Sequence, residues 1–271
     1  MKFFTVIFLF FQLFFTNAQE IVPIAIGIEF LKEIELNADI FIGVDTFENY
    51  YYIKNNTLHK KTSEQIYTYT NTQLGKITSV DITNPLKILL FYRNFNTVLF
   101  LDNKLNELTT SINFTSESFS QQITFVNISS NNNLWLYSLD DNILQLWNHQ
   151  TKKVEFTSQS LSFYNDDFSG VQQLSSYKNC WLVGMETILK FNEYGTFLES
   201  LIIDKHTYIS PFQEGYTYIR DNKLFYQKSF TNSQEILIKT DIVIKKYAIN
   251  ANHIYIFDGA KIFIFRIIKN K

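Results

Sequence analysis

The stretch Ile254-Tyr255-Ile256-Phe257-Asp258-Gly259-Ala260-Lys261-Ile262-Phe263-Ile264-Phe265-Arg266 decides the fold. Two runs of β-branched and aromatic residues flank Asp258-Gly259, a pair that tolerates the positive φ of a tight hairpin turn. A strand with one wet face would alternate apolar with polar residues. Ile254–Phe257 and Ile262–Phe265 do not alternate, so both faces of this hairpin are covered. A parallel sheet flanked by helices would cover strands in the same way. That option needs crossover helices, and no window of helical length carries an apolar stripe capped at both ends.

Working outward, the same strand–turn–strand unit recurs at Tyr50–Lys60, Ile88–Asp102, Leu134–Trp147, Cys180–Phe191 and Tyr216–Lys228. The six starts are separated by 38, 46, 46, 36 and 38 residues, a mean of about 41. That spacing suits a four-stranded propeller blade. Asp221-Asn222 and Asp140-Asp141-Asn142 supply further turns. A strand precedes each hairpin, at Ile40–Asp45, Ile77–Ile82, Gln122–Asn127, Val171–Ser175, Tyr208–Pro211 and Ile244–Asn250. Another follows at Gln65–Tyr69, Glu107–Ile112, Lys153–Phe156, Phe197–Ile202 and Glu235–Ile238. The sixth hairpin lacks a following strand, while Ile21–Leu36 is strand-like and unclaimed. The pattern predicts an all-β, six-bladed β-propeller of four-stranded antiparallel blades. The N-terminal segment closes the last blade and so protects a sheet edge. Ser116–Gln122 and Ser129–Asn133 read as wet loops.

Met1-Lys2, the apolar run Phe3–Phe15 and Thr16-Asn17-Ala18 have the three-part layout of a signal peptide over 1–18. The run is too short for the roughly 20 residues that span a bilayer. The expectation is a single propeller domain over 19–271, not membrane-spanning after signal removal, and periplasmic or secreted. The 24 Lys and Arg against 26 Asp and Glu give a net charge of −2 with no basic tract, which argues against nucleic acid. The lone Cys180 forms no disulfide within the chain, so packing must supply stability. Cys180 opens an apolar run and reads as a buried small hydrophobe.

The spacing of the repeats resembles exported six-bladed propellers of bacteria. Leu74-Gly75-Lys76-Ile77, Val80-Asp81-Ile82, Asn84-Pro85-Leu86-Lys87-Ile88 and Asn96-Thr97-Val98 are similar to a group of flavobacterial propeller proteins. The resemblance implies a fold and carries no catalytic motif. The Trp-Asp, Gly-Gly and Tyr-Trp-Thr-Asp signatures of named propeller families are absent.

No Gly-x-Ser-x-Gly elbow occurs, and His59, His149, His206 and His253 show no metal-ligand spacing. They read as surface or strand-edge histidines. Asn165–Gly170 starts like a calcium loop but has Ser176 where the twelfth-position acid belongs. Trp135, Trp147 and Trp181 read as filling between blades, with sugar stacking as the alternative. Sequons at Asn55, Asn113 and Asn127 are expected by chance in an Asn- and Thr-rich chain.

One pattern points to a site. Each first strand ends in a polar residue: Asp45, Asp81, Asn127, Gln173, Ser210 and Asn250. Asp81, Asn127 and Gln173 each lie seven residues before their hairpin, and the others four to six. In a propeller the first strands line the central channel, so these residues would form a polar ring able to hold a ligand or ion. The preferred reading is a non-enzymatic binding or scaffolding propeller, without a cofactor, that engages a protein partner or envelope component. One alternative is a hydrolase or lactonase-type enzyme with a channel-bound divalent metal assembled from separate blades. A second is a carbohydrate-binding module using exposed aromatics.

Overall fold

The computed structural model describes residues 26–117, 119, 121–203, 205–228, 234–236, 238 and 242–268. The segment read as a signal peptide lies outside the described residues, as do residues 21–25.

Each predicted hairpin forms the middle of a blade. Blade 1 is β2 (Ile40–Val44), β3 (Tyr50–Lys54), β4 (Thr57–Lys61) and β5 (Ile66–Tyr69); β1 (Gly27–Glu35) belongs elsewhere. Blade 2 is β6 (Ser79–Asp81), β7 (Ile88–Tyr92), β8 (Thr97–Leu101) and β9 (Ile112–Asn113). Blade 3 is β10 (Phe125–Ile128), β11 (Asn133–Ser138), β12 (Ile143–Asn148) and β13 (Lys153–Thr157). Blade 4 is β14 (Gln172–Ser175), β15 (Asn179–Val183), β16 (Thr187–Asn192) and β17 (Phe197–Ile202). Blade 5 is β18 (Thr207–Phe212), β19 (Gly215–Arg220), β20 (Lys223–Lys228) and β21 (Gln234–Ile236). Blade 6 is β22 (Lys246–Ile249), β23 (His253–Phe257) and β24 (Lys261–Ile268), completed by β1. The chain is therefore a six-bladed β-propeller, and all its strand pairs are antiparallel. β1 runs along β24 from Gly27 opposite Ile268 to Glu35 opposite Lys261, with one bulge between Phe30 and Lys32.

The turn chemistry follows the sequence. Asn55-Asn56 and Asp221-Asn222 take positive φ at both residues, as primed hairpin turns require. Gly259 sits at φ 112°, and the preceding Asp258 Oδ1 accepts from the amides of Ala260 and Lys261 at 2.8 and 2.7 Å.

The core divides by blade interface. Leu89, Phe91 and Phe100 of blade 2 pack with Val126, Leu134 and Trp147 of blade 3. Trp135 and Tyr137 of blade 3 pack with Cys180 and Phe191 of blade 4. Corresponding clusters join blades 1–2, 4–5 and 5–6. The ring closes where Phe41 and Tyr52 of blade 1 meet Tyr255, Phe257 and Ile264 of blade 6, with Leu36 alongside. Covering each middle strand on both sides is what demands the continuous apolarity of Ile254–Phe265. All three tryptophans are buried, so none offers a sugar-stacking surface. Cys180 is also buried, and its apolar surroundings push the thiol well above its ordinary pKa.

Two expectations are corrected. Ser129–Asn133 is wet only at its tip: Asn131 and Asn132 are exposed, whereas Ser129 and Asn133 are 4% and 8% exposed and Asn133 begins β11. Asn131 and Asn132, both at positive φ, make a tight turn in which the Ser129 amide donates to the Asn133 carbonyl and the Asn133 amide to the Ser130 carbonyl. The fourth strand of blade 2, expected over Glu107–Ile112, shrinks to β9. Only an isolated bridge between Leu101 and Glu107 stands earlier in that stretch.

Candidate functional site

The six residues of the expected ring all lie in or just after a first strand but at different heights along it, Asp45 and Asn250 just past its end and Gln173 near its start, and the structure does not join them into one set. Asp81, Asn127 and Gln173 form a continuous hydrogen-bonded chain across three blades. Asp81 Oδ2 accepts from Asn127 Nδ2 at 3.1 Å and from the Ile128 amide at 2.8 Å. Its Oδ1 accepts from the Thr83 amide at 2.8 Å. Gln173 Nε2 then donates to Asn127 Oδ1 at 3.0 Å and to the Trp135 carbonyl at 3.2 Å. The Asn127 amide is thus engaged on both sides. Asp81 and Gln173 are buried, and Gln173 Oε1 has no protein partner.

Asp45 is engaged within its own turn. Its carboxylate accepts from the Phe47 and Asn49 amides, both at 2.9 Å, from Asn49 Nδ2 at 3.0 Å and from the Tyr51 hydroxyl at 2.9 Å. Asp102 repeats the motif with Lys104 and Asn106, and Asn192 with Tyr194 and Thr196. The fourth position has positive φ each time, at Glu48, Leu105 and Gly195. Asp102 and Asn192 follow third strands, away from the channel. The motif is therefore a way of closing a five-residue turn wherever one occurs. Asn250 likewise caps its turn, accepting from the Asn252 and His253 amides at 2.9 and 2.8 Å. Ser210 contributes its carbonyl, which accepts from Thr217 Oγ1 at 3.3 Å. Blades 5 and 6 are tied instead by Tyr247, whose hydroxyl donates toward the Thr217 carbonyl at 2.5 Å.

Among the described residues, no three His, Cys, Asp or Glu side chains converge as a metal site would require. The Asn165–Gly170 segment is a connection: the Phe168 amide donates to the Asn165 carbonyl, and the Gly170 amide donates to Tyr137 Oη at 3.0 Å.

The ring has two ends. The first-to-second and third-to-fourth strand turns lie on one, and the hairpin tips and blade-to-blade connections on the other. On the hairpin-tip face, blades 2 to 4 expose Phe95, Leu139, Phe163, Val171 and Met185; Phe163 is 74% and Met185 60% exposed. Hydrogen bonds tie this region together. Gln122 Nε2 donates to the Arg93 carbonyl at 2.6 Å, and Arg93 Nε to the Thr124 carbonyl at 3.0 Å. The Leu139 amide donates to Thr124 Oγ1, the Leu161 amide to the Asn142 carbonyl and Asn142 Nδ2 to the Phe168 carbonyl. No sequence signal marked these residues, because they stand singly at turn tips and share a face only through the blade order.

No protein-family model matches the sequence, and no curated protein matches it significantly. Solved structures do match the fold. Virginiamycin B lyase from Staphylococcus aureus is 13% identical, with 89% of this chain and 100% of that chain covered, at a TM-score of 0.60. The Pan2 WD40 domain of Neurospora crassa is 8% identical over 85% of this chain and 75% of that chain, at 0.54. A chain of the mitotic checkpoint complex is 11% identical over 98% of this chain and 100% of that one, at 0.58. At such identities the similarity establishes the propeller fold.

Proposed function

We propose that the protein is an exported, non-enzymatic binding propeller whose hairpin-tip face on blades 2 to 4 docks a protein partner or envelope component. The observation that carries this reading is the set of five exposed apolar side chains on the hairpin-tip face of adjacent blades, with hydrogen bonds anchoring the segments around Phe95, Leu139 and Phe163. Exposed apolar surface concentrated on one region marks an interaction site more often than scattered single residues do. The fold supports the reading in a general way, since a similar chain occurs in a multiprotein complex. The signal-like pattern over 1–18 and the similarity of Leu74–Val98 to flavobacterial propellers support export to the periplasm or cell exterior. No helix among the described residues is long and apolar enough to cross a membrane.

The test is affinity capture from the native envelope with wild type and with Phe95→Ser/Phe163→Ser/Met185→Ser. The reading predicts a protein recovered with wild type and reduced at least about tenfold with the variant, because buried aromatic anchors dominate interface energy. The variant's melting temperature should stay close to wild type, since the three side chains are exposed. Equal recovery by both proteins would refute the assignment of this face.

A further inference from the structure

On the opposite face, between blades 2 and 3, lies an open cleft of about 440 Å³. That is a volume typical of small-molecule sites, which span roughly 300–1,000 Å³. Its lining includes Lys87 from the β6–β7 connection, Phe100 of β8, His149 just after β12 and the Ser129–Asn133 turn. Lys87 Nζ stands 2.9 Å from His149 Nε2 and 4.4 Å from the centre of the Phe100 ring. The His149 ring lies 4.9 Å from that of Phe100.

Three features distinguish this cleft from ordinary polar surface. First, Lys87 makes no ion pair with any carboxylate among the described residues, although it is partly withdrawn from water. An ammonium has three donors, and His149 Nε2 accepts one of them. Second, burial and, after it, the positive charges of Lys87 and Lys152 disfavour protonation of His149 and lower its pKa to about 4. Lys152 pairs with Glu117 at 2.6 Å, whereas Lys87 has no carboxylate partner among the described residues. Third, the Ser129–Asn133 turn holds polar capacity that the protein does not use. Ser129 Oγ and Asn133 Oδ1 are buried without protein partners. Buried polar groups are ordinarily paired, so such atoms call for an explanation.

We infer that this cleft binds a small molecule through an oxyanion group (carboxylate, sulfate or phosphate) seated on the Lys87 ammonium. Neutral His149 orients the ammonium by accepting one of its protons. The remaining two donors face an anion, and the Ser129–Asn133 turn recognises the polar remainder of the ligand. The Phe100 ring, whose centre lies 4.4 Å from Nζ, holds the ammonium in place and limits the entropy lost on binding. This site is separate from the apolar face proposed above and does not depend on it.

The experiment follows the melting temperature of the full chain with inorganic phosphate, sulfate and sodium glucuronate. Glucose and sodium chloride at matched ionic strength are the controls. At tenfold excess over Kd, a binding anion should raise the melting temperature by about 3–5 °C. The probes that act identify the preferred oxyanion; glucose and chloride should not act. Lys87→Met keeps the stem and removes the charge, and should abolish the response. In parallel, the NMR titration of His149 in wild type should move to higher pH with the active anion, because a bound negative charge favours imidazolium. The inference is overturned if no anion exceeds the chloride control, if Lys87→Met responds like wild type, or if the His149 midpoint stays in place.

Discussion

Asp45 and Asp81 are both buried aspartates at the end of a first strand, yet their carboxylates are engaged differently. Asp45 closes a local turn, as Asp102 and Asn192 do elsewhere. Asp81 reaches across to blade 3 and binds both the side chain of Asn127 and the amide of Ile128. The seven-residue spacing set Asp81, Asn127 and Gln173 at equivalent positions of successive blades, but the hydrogen bonds that join them were not readable from it. The sequence placed Asp45, Ser210 and Asn250 in the same ring, because a polar residue that caps a turn and one that reaches the next blade look alike in sequence. Asp81→Ala should cost about 2–3 kcal/mol, since hydrogen bonds to a charged acceptor are strong and their donors are left buried. A double-mutant cycle with Asn127→Ala should return a coupling of about 1 kcal/mol or more. Additive effects, measured by denaturant unfolding, would mean that the chain does not act as a unit. Lys87 and His149 were not legible as a pair. They are 62 residues apart and meet only because the repeat places neighbouring blades side by side. His149 also leads to a pH prediction. Its folded pKa of about 4 lies below the ordinary value of 6.5. The unfolded chain therefore binds a proton between these values while the folded chain does not, and stability falls as pH drops through that window. Below about pH 4 this contribution levels off. His149→Gln should flatten this part of the stability–pH curve in chemical denaturation at pH 4 to 7, whereas an unchanged slope would show that other groups cause it.

At the level of elements, the strand runs were readable because blade packing requires apolar residues on both faces of the middle strands. Cys180, Trp181, Leu182 and Val183 of β15 are all buried, as continuous apolarity implies. Outer strands are less constrained. β9 has two residues where six were expected, because only its inner side must satisfy β8. The polar composition of Ser129–Asn133 describes its exposed tip, whereas the positive φ of Asn131 and Asn132 closes a tight turn whose ends, Ser129 and Asn133, are buried. The N-terminal strand carries the strongest prediction. β1 pairs with β24 from end to end, and Leu36 joins the cluster between blades 6 and 1. Deleting Ile21–Leu36 exposes the edge of β24 and removes Leu36 from the core. The melting temperature should fall by about 10 °C or more, given 2–4 °C per kcal/mol for a domain of this size. An unchanged midpoint in calorimetry would show that the strand is dispensable.

At the level of the whole molecule, the ring presents two chemically distinct faces: apolar hairpin tips over blades 2 to 4, and a cationic, amide-lined cleft between blades 2 and 3. Which face a residue joins depends on blade order, which in turn depends on the closed ring. Closure joins the two ends of the described chain through register partners Glu29 and Arg266, whose side chains already form an ion pair at 2.5 Å. The most direct test is therefore Glu29→Cys with Arg266→Cys, oxidised and run on a non-reducing gel. Buried Cys180 is too deeply protonated to compete for the new thiols. A closed ring predicts rapid formation of an intramolecular disulfide, faster migration than the reduced form and a higher melting temperature that reduction reverses. Two thiols that stay free, or link only between molecules, would contradict closure by β1 and with it the arrangement of both faces.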